Sequence, residues 1–195
     1  MPFGLTMRDS GVTVDVYGIK DTLGYVTEKL MDGSLYPPFL DFPSPESPIY
    51  AFHEVEPLEE FQVLGYKLKA VTVPHAVPSV GFLVSTDEVS VFYTGDAGKG
   101  VSEAWQHADP DVLLTEVTFG NAGEQKAIDS VHLTPTYLEE ALVEFKRQKG
   151  YLPRVIVGHM NPPYEEEIRA EVGKIADDLG IEILMAEADM RLSLP

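Results

Sequence analysis

Short apolar stretches separated by turn residues fill the first half of the chain. Residues 12–18 predict a strand, and residues 20–33 predict a helix that ends at Gly33. The proline-rich segment 36–48 is too broken for regular structure. Residues 85–88, STDE, predict a hairpin turn between two strands. Further strands, each rich in aliphatic and aromatic residues, are predicted at 49–55, 61–65, 66–74, 80–85 and 89–95.

Helices alternate with strands after residue 98. The helix predicted at 134–150 has Pro135 in its first turn and Gly150 just beyond its end. The other predicted elements are a helix at about 100–107, strands at 111–117 and 154–159, a helix at 162–180, and strands at 181–187 and 189–194. Antiparallel hairpins followed by αβ units predict a mixed α/β layered protein, with one domain over residues 1–195.

Composition narrows the range of functions. The formal net charge of −18 disfavours a nucleic-acid partner, because binding a phosphate backbone requires a basic face. The 44% hydrophobic content excludes a disordered acidic tail, and the absence of cysteine excludes disulfides and thiolate metal sites. The chain shows neither a leader pattern nor an apolar run long enough to cross a bilayer. The sequence therefore predicts a cytoplasmic protein that does not interact with membranes.

Potential metal ligands stand where three separate strands end. His75, Asp96 and His159 each follow an apolar run, next to glycine or proline. Imidazole and carboxylate are ligands that Zn²⁺, Mn²⁺ and Fe accept in hydrolytic sites. His132 lies just before the helix at 134–150. Taken singly, each of these residues is better explained as a loop, turn or cap residue, so the joint pattern carries the hypothesis.

Glu116 interrupts an apolar strand, and two interpretations of it are about equally supported. It is either a sheet-edge residue facing solvent or a carboxylate that orients a histidine. His53 and His107 lack a comparable setting and are interpreted as surface residues. No phosphate-binding G-x-x-x-x-G-K-[ST] loop and no G-x-S-x-G nucleophile turn occurs in the sequence.

The order of five segments gives a family resemblance. The segments are VTVPHAVPSVGFLV, FYTGDAG, DVLLTEVTFGN, HLTPTYLEEAL and VIVGHMNP. Together they resemble the metallo-β-lactamase-fold hydrolases, and within them the phosphodiesterase branch that includes tRNase Z and class II cyclic-nucleotide phosphodiesterases. The resemblance implies an αββα sandwich of mixed sheets.

The same resemblance implies roles for the candidate residues. His75 would bind a first metal ion, Asp96 would bridge two ions and His159 would bind the second. His132, paired with Glu116, would protonate the leaving oxygen. The implied cofactor is a divalent metal, Zn²⁺ foremost, with Mn or Fe as alternatives. The implied reaction is attack of a metal-activated water on a small phosphodiester, a cyclic nucleotide or another small ester.

One departure from the family limits this prediction. The H-x-H-x-D-H motif that supplies four of the family's seven ligands is absent, and only His53 occurs before His75. The opening residues resemble the segment that follows that motif, so the domain is expected to be truncated, without the first strands of one sheet. We therefore expect weak metal occupancy and weak or no activity for this chain alone.

Two alternatives to a hydrolase stay open. The first is a non-catalytic binding or oligomerisation module of the same fold. The second is a metal-independent structural protein, in which the three strand-end residues would be scattered in space. Missing strands would leave an apolar sheet face and edge, which self-association into a homo-oligomer would cover.

Overall fold

The computed structural model describes residues 11–194. The chain forms two compact units, Met1–Glu56 and Pro57–Pro195. In the first unit, helix α1 (Lys20–Tyr25) continues as a π-helical segment, Val26–Leu30. The predicted helix is thus confirmed over most of its length and ends short of Gly33. The strands of this unit are β1 (Val14–Gly18), β2 (Pro43–Ser44), β3 (Ser47–Pro48) and β4 (Tyr50–Glu54).

A two-stranded parallel sheet organises the first unit. β1 pairs with β4, and β2 forms a short antiparallel pair with β3 inside the proline-rich segment. The buried side chains Phe39, Ile49 and Tyr50 form the core of this unit. His53 stacks on Tyr17 and lies 2.6 Å from a carboxylate oxygen of Asp15, so its contacts in this unit are a ring stack and a hydrogen bond.

A seven-stranded mixed sheet forms the second unit. Its spatial order is β11-β10-β9-β8-β7-β6-β5. β5 to β8 pair antiparallel in sequence order, whereas β8, β9, β10 and β11 run parallel. The strands are β5 (Glu60–Val63), β6 (Tyr66–Val73), β7 (Ser79–Ser85), β8 (Ser90–Tyr93), β9 (Val112–Glu116), β10 (Arg154–Gly158) and β11 (Ile183–Met185).

Three α-helices follow the sheet strands of this unit: α2 (Glu124–Ser130), α3 (Pro135–Lys149) and α4 (Glu165–Leu179). Turns of 3₁₀ helix lie at Val101–Gln106, Asn121–Gly123 and Pro162–Tyr164. The apolar faces of α3 and α4 belong to the same buried core as the sheet, whose largest members include Trp105, Phe92 and Phe145. Within the described residues, no helix is long and apolar enough to cross a membrane.

Helix α3 begins and ends where the sequence predicts. Thr134 caps its N-terminus by accepting a hydrogen bond from the amide of Tyr137, Pro135 occupies the first turn, and Gly150 ends it in the left-handed region with φ +82°. The first turn of α4 carries three glutamates, which suits the helix dipole.

Two parts of the second unit differ from the sequence prediction. Residues 189–194 form no strand, so that prediction is wrong, because the alternating pattern there has no neighbouring strand to pair with. The strand predicted at 181–187 is confirmed only over β11. Helix α2 was not predicted, because Ala127 is its only buried residue and no apolar stripe marks it.

Strand direction explains why side chains distant in sequence meet in this unit. β6 and β8 are both antiparallel to β7 and therefore run in the same direction, which β9 and β10 share. The C-terminal ends of these four strands lie at one edge of the sheet. Residues that follow those ends are the ones in which the sequence predicts chemistry.

Gly81, in the middle of β7, gives a stability prediction. A Cβ atom there would lie 2.7 Å from the backbone oxygen of Tyr93 and 2.7 Å from Phe92 Cζ, and β7 is hydrogen-bonded to a strand on each side. We expect Gly81→Ala to lower the free energy of unfolding by about 1–3 kcal/mol, measured by urea denaturation. Gly173→Ala is the matched control: nothing lies near its Cβ position in α4, so a gain of about 0.5–1 kcal/mol is expected. Equal effects of the two substitutions would contradict this packing.

Candidate metal centre

The loop after β8 places Asp96 at the edge of the sheet. Gly95 adopts φ +62°, a left-handed conformation that turns the chain sharply and is least costly for glycine. Three residues after Gly95, the amide of Gly98 donates to the carbonyl of Pro74 at 2.7 Å, which ties this loop to the one that follows β6. Asp96 and His75 are thereby held in neighbouring loops.

His75 is oriented by a backbone carbonyl. Its Nδ1 lies 3.0 Å from the carbonyl oxygen of Val131, which can only accept a hydrogen bond, so Nδ1 carries the proton and Nε2 presents a lone pair. Val131 has φ +56°, a strained conformation for a β-branched residue. Gly98 packs so closely against Val131 that a Cβ atom would lie 2.5 Å from its Cγ1. In this strained backbone conformation, the carbonyl of Val131 points at Nδ1 of His75.

His132 is oriented by Glu116. The histidine Nδ1 lies 2.6 Å from Glu116 Oε1, and the two side chains are 14% and 1% exposed. Because Nδ1 is engaged by the carboxylate, Nε2 is the nitrogen available to a metal or a substrate. The ring of His132 lies next to two other imidazoles, with centroids 5.2 Å from His75 and 5.7 Å from His159.

Glu116 is buried and fully engaged, so the interpretation of this residue as solvent-facing on an edge strand is wrong. It ends β9, an interior strand of the seven-stranded sheet. Besides His132, its carboxylate accepts hydrogen bonds from the amide of Ala97 at 2.8 Å, the amide of Leu133 at 3.2 Å and the Thr118 hydroxyl at 2.6 Å. These donors offset the cost of removing a charge from water. Glu116 also joins the Asp96 loop to the His132 loop.

Thr118 was missed by the sequence analysis. Its Oγ1 lies 2.6 Å from Glu116 Oε2, 3.2 Å from His132 Nδ1 and 3.1 Å from the backbone carbonyl of His159. The residue is buried and contacts both histidine segments. The available signal was a second polar residue two positions after Glu116, in the run TEVTF, but a threonine after a strand is too common to single out.

His159 faces Asp96 from the end of β10. Its Nε2 lies 3.5 Å from Asp96 Oδ1, and the two side chains are 56% and 42% exposed. Its backbone has φ +54°, a conformation uncommon outside glycine. A cavity of about 200 Å³ opens beside this pair, with Tyr93 and Leu114 in its lining. Solutes can therefore reach the pair from solvent.

The structure thus brings the five predicted side chains together at one edge of the sheet. His75, Asp96 and His132 each offer a ligand atom within 4.8 Å of those of the other two. His159 joins this group because its Nε2 faces the carboxylate of Asp96. Glu116 joins it because its carboxylate contacts Nδ1 of His132. The scattering expected of a metal-independent structural protein is not observed. Predicted surface residue His107 is exposed, at the end of the 3₁₀ helix Val101–Gln106.

Most of the chain matches one known protein family. The model of the beta-lactamase superfamily domain matches residues 5–185, which is most of the chain. The chain belongs to the beta-lactamase superfamily. Members of this superfamily with the metallo-β-lactamase fold are metal-dependent hydrolases. No curated protein sequence matches the chain.

Solved structures with the metallo-β-lactamase fold are similar to this chain. The fold protein YhfI from Bacillus subtilis is 14% identical with a TM-score of 0.69, over 96% of this chain and 68% of its own. Zn²⁺-bound PqqB from Methylobacterium extorquens is 15% identical with a TM-score of 0.70, over 98% and 68%. The short form of human tRNase Z is 20% identical with a TM-score of 0.64, over 97% and 71%. These similarities confirm the predicted fold class.

The donor atoms of this superfamily member fit a divalent metal ion. The cluster offers imidazole nitrogens and a carboxylate oxygen, the ligands that Zn²⁺ and related ions accept. Both His75 and His132 have the second ring nitrogen engaged by an oxygen acceptor, as metal-ligating histidines almost always do. The residues therefore support the metal that the superfamily implies.

Proposed function

We propose that the chain is a metal-dependent hydrolase of small phosphodiesters, with Zn²⁺ as its metal. The observation that carries the proposal is the convergence of His75, Asp96, His132 and His159 at one sheet edge. The strongly acidic composition supports a small substrate rather than a nucleic acid. Zn²⁺ is supported by the donor types and by its presence in PqqB, a protein of the same fold.

The roles proposed for the residues are compatible with their hydrogen bonds and distances. His75, Asp96 and His159 would hold the metal, which acidifies a water molecule and neutralises phosphate charge when bound. The water oxygen would add to phosphorus and release one proton to the solvent, while the bond from phosphorus to the leaving oxygen breaks. Nε2 of His132, as the protonated imidazolium, gives its proton to that oxygen. Glu116 stabilises the imidazolium through Nδ1 at 2.6 Å.

His132 cannot serve as ligand and acid at the same time, because Nδ1 is engaged by Glu116 and only Nε2 is left. Its proximity to His75 and Asp96 makes a ligand role the direct competitor of the acid role. We assign the acid role because Asp96 already has His159 beside it as a partner ligand. The two assignments predict different metal contents for the same variant.

Paired alanine variants therefore test the proposal. We expect His132→Ala to keep its zinc while hydrolysis of bis(p-nitrophenyl) phosphate falls by about 10²- to 10⁴-fold. His159→Ala should lose both zinc and hydrolysis. Elemental analysis gives the metal content, and release of p-nitrophenolate gives the rate with and without EDTA. Hydrolysis by the unaltered chain is expected to be slow, because the three proposed ligands suffice for one metal ion at most, whereas the reaction implied by the family uses two.

Other outcomes would reassign the site. Loss of zinc from His132→Ala would make His132 a ligand and contradict its role as the acid. A zinc-loaded chain without EDTA-sensitive hydrolysis would contradict the hydrolase and favour a non-catalytic binding module of the same fold.

A further inference from the structure

Two aromatic rings extend outward from His132. The Phe119 ring centroid lies 6.1 Å from that of His132, and the Tyr164 ring centroid lies 5.5 Å from that of Phe119. Both contacts are edge-to-face, with interplanar angles of 68° and 75°. Phe119 and Tyr164 are each only part-buried, so both keep surface that a ligand can contact. The proposed function assigns no role to either ring.

Backbone contacts hold the two rings in place. Gly123 has no side chain, and a Cβ atom there would lie 3.2 Å from both Phe119 Cβ and Tyr164 Cε1. The amide of Asn161 donates to the carbonyl of Thr118 at 3.1 Å, which joins the loop of Phe119 to the loop of Tyr164. The pair therefore needs little ordering when a ligand binds.

Two carboxylates hydrogen-bond to the loop that follows Phe119, and a lysine contacts Tyr164. Glu167 and Glu171 of α4 accept hydrogen bonds from the amides of Ala122 and Asn121, at 2.9 and 3.0 Å. At the outer end, Lys126 Nζ lies 2.8 Å from the Tyr164 hydroxyl and 5.4 Å from its ring centroid. The lysine places positive charge beside the ring, in a protein whose net charge is −18.

We propose that Phe119 and Tyr164 form an aromatic platform that binds a ring on the leaving group of the substrate. The inference rests on the proposed function in one respect: His132 protonates the leaving oxygen, so the carbon atoms attached to that oxygen extend past His132. Phe119 is the benzene ring that contacts His132, with ring centroids 6.1 Å apart. The substrate class is therefore an aryl or nucleoside phosphoester, since every such group offers a flat face for stacking.

Binding of two phosphonates tests the platform without turnover. Benzylphosphonate carries a ring one atom from phosphorus, and ethylphosphonate carries a methyl group in its place. We expect the zinc-loaded chain to bind benzylphosphonate about 5- to 30-fold more tightly, by titration calorimetry. In Phe119→Leu this preference should fall to under about 3-fold, whereas Phe119→Tyr should keep it.

Tyr66→Leu is the matched control, because Tyr66 is an aromatic residue on β6 that is 49% exposed and has no part in the site. It should keep the full preference for benzylphosphonate. Circular dichroism checks that each variant is folded. If Phe119→Leu does not fold, the preference of the unaltered chain and of Phe119→Tyr still decides the question.

Equal binding of the two phosphonates, no binding of benzylphosphonate, or an unchanged preference in folded Phe119→Leu would overturn the platform. These outcomes are distinct from failure of the hydrolase. A chain that prefers benzylphosphonate but hydrolyses no phosphodiester would keep the platform and reject the proposed reaction. Hydrolysis without any ring preference would do the reverse.

Discussion

Glu116→Gln is expected to lower the free energy of unfolding by about 2–4 kcal/mol. Each carboxylate oxygen accepts two hydrogen bonds: Oε1 from Ala97 and His132, and Oε2 from Thr118 and Leu133. Glutamine has the same shape but replaces one oxygen with an NH₂ group, which would face two donors. In either orientation the NH₂ group faces one backbone amide, that of Ala97 or Leu133, which loses its acceptor, and the remaining hydrogen bonds go to a neutral group instead of a carboxylate.

The same substitution should release the orientation of His132. With the carboxylate gone, the proton on Nδ1 loses its fixed acceptor, and the ring can adopt the other tautomer or rotate. Nitrogen-edited NMR should therefore show a protected Nδ1–H signal of His132 in the unaltered chain and not in the variant. Urea denaturation gives the stability change.

Glu140→Gln on α3 is the control for this substitution. Its carboxylate lies 3.7 Å from Lys99 and its side chain is 55% exposed, so solvent screens the pair and a change within about 0.5 kcal/mol is expected. A stability for Glu116→Gln equal to that of the control would contradict the burial and hydrogen bonding described for Glu116.

Asp96→Asn is expected to weaken zinc binding by at least about 100-fold. Asparagine keeps the size of the side chain but removes the only negative charge among the three clustered donors His75, Asp96 and His132. It also removes the carboxylate that faces His159 Nε2 at 3.5 Å. Competition with a chromophoric chelator measures the affinity, and hydrolysis should fall in parallel.

Asp87→Asn provides the same chemical change away from the site. Its side chain is 94% exposed in the β7–β8 turn, where it lies 3.5 Å from Lys67. Zinc affinity should be unchanged in this variant. Unchanged affinity in Asp96→Asn would exclude Asp96 as a ligand and with it the metal centre as described.

The convergence of His75, Asp96 and His159 was predictable because each of them follows an apolar run at a strand end. Asp96 follows β8 and His159 follows β10, and parallel strands bring their C-terminal ends to one sheet edge. The burial of Glu116 was not predictable. A carboxylate at the end of a strand is compatible with either an edge strand or an interior strand. Only the strand order of the folded sheet shows that β9 has a neighbour on each side.

Other features depend on contacts that a single sequence does not encode locally. Thr118 contacts His132 and the backbone of His159, and Phe119 contacts His132. These partners lie 13 or more positions further along the chain, so the local sequence gives no sign of the contacts. Helix α2 has no apolar stripe, and a contact with a neighbouring helix helps to position it. Its Glu124 accepts a hydrogen bond from the hydroxyl of Tyr137 on α3. This hydrogen bond raises the pKa of Tyr137. Self-association and a truncated first sheet stay predictions.

The central claim is that this cluster binds one divalent metal ion, and zinc stoichiometry tests it most directly. The purified chain would be loaded with Zn²⁺, dialysed against metal-free buffer and analysed for metal content, with Asp96→Asn treated in parallel. We predict bound zinc in the unaltered chain, up to one ion per chain, and none in the variant. Zinc content in the unaltered chain no higher than in Asp96→Asn would contradict the claim.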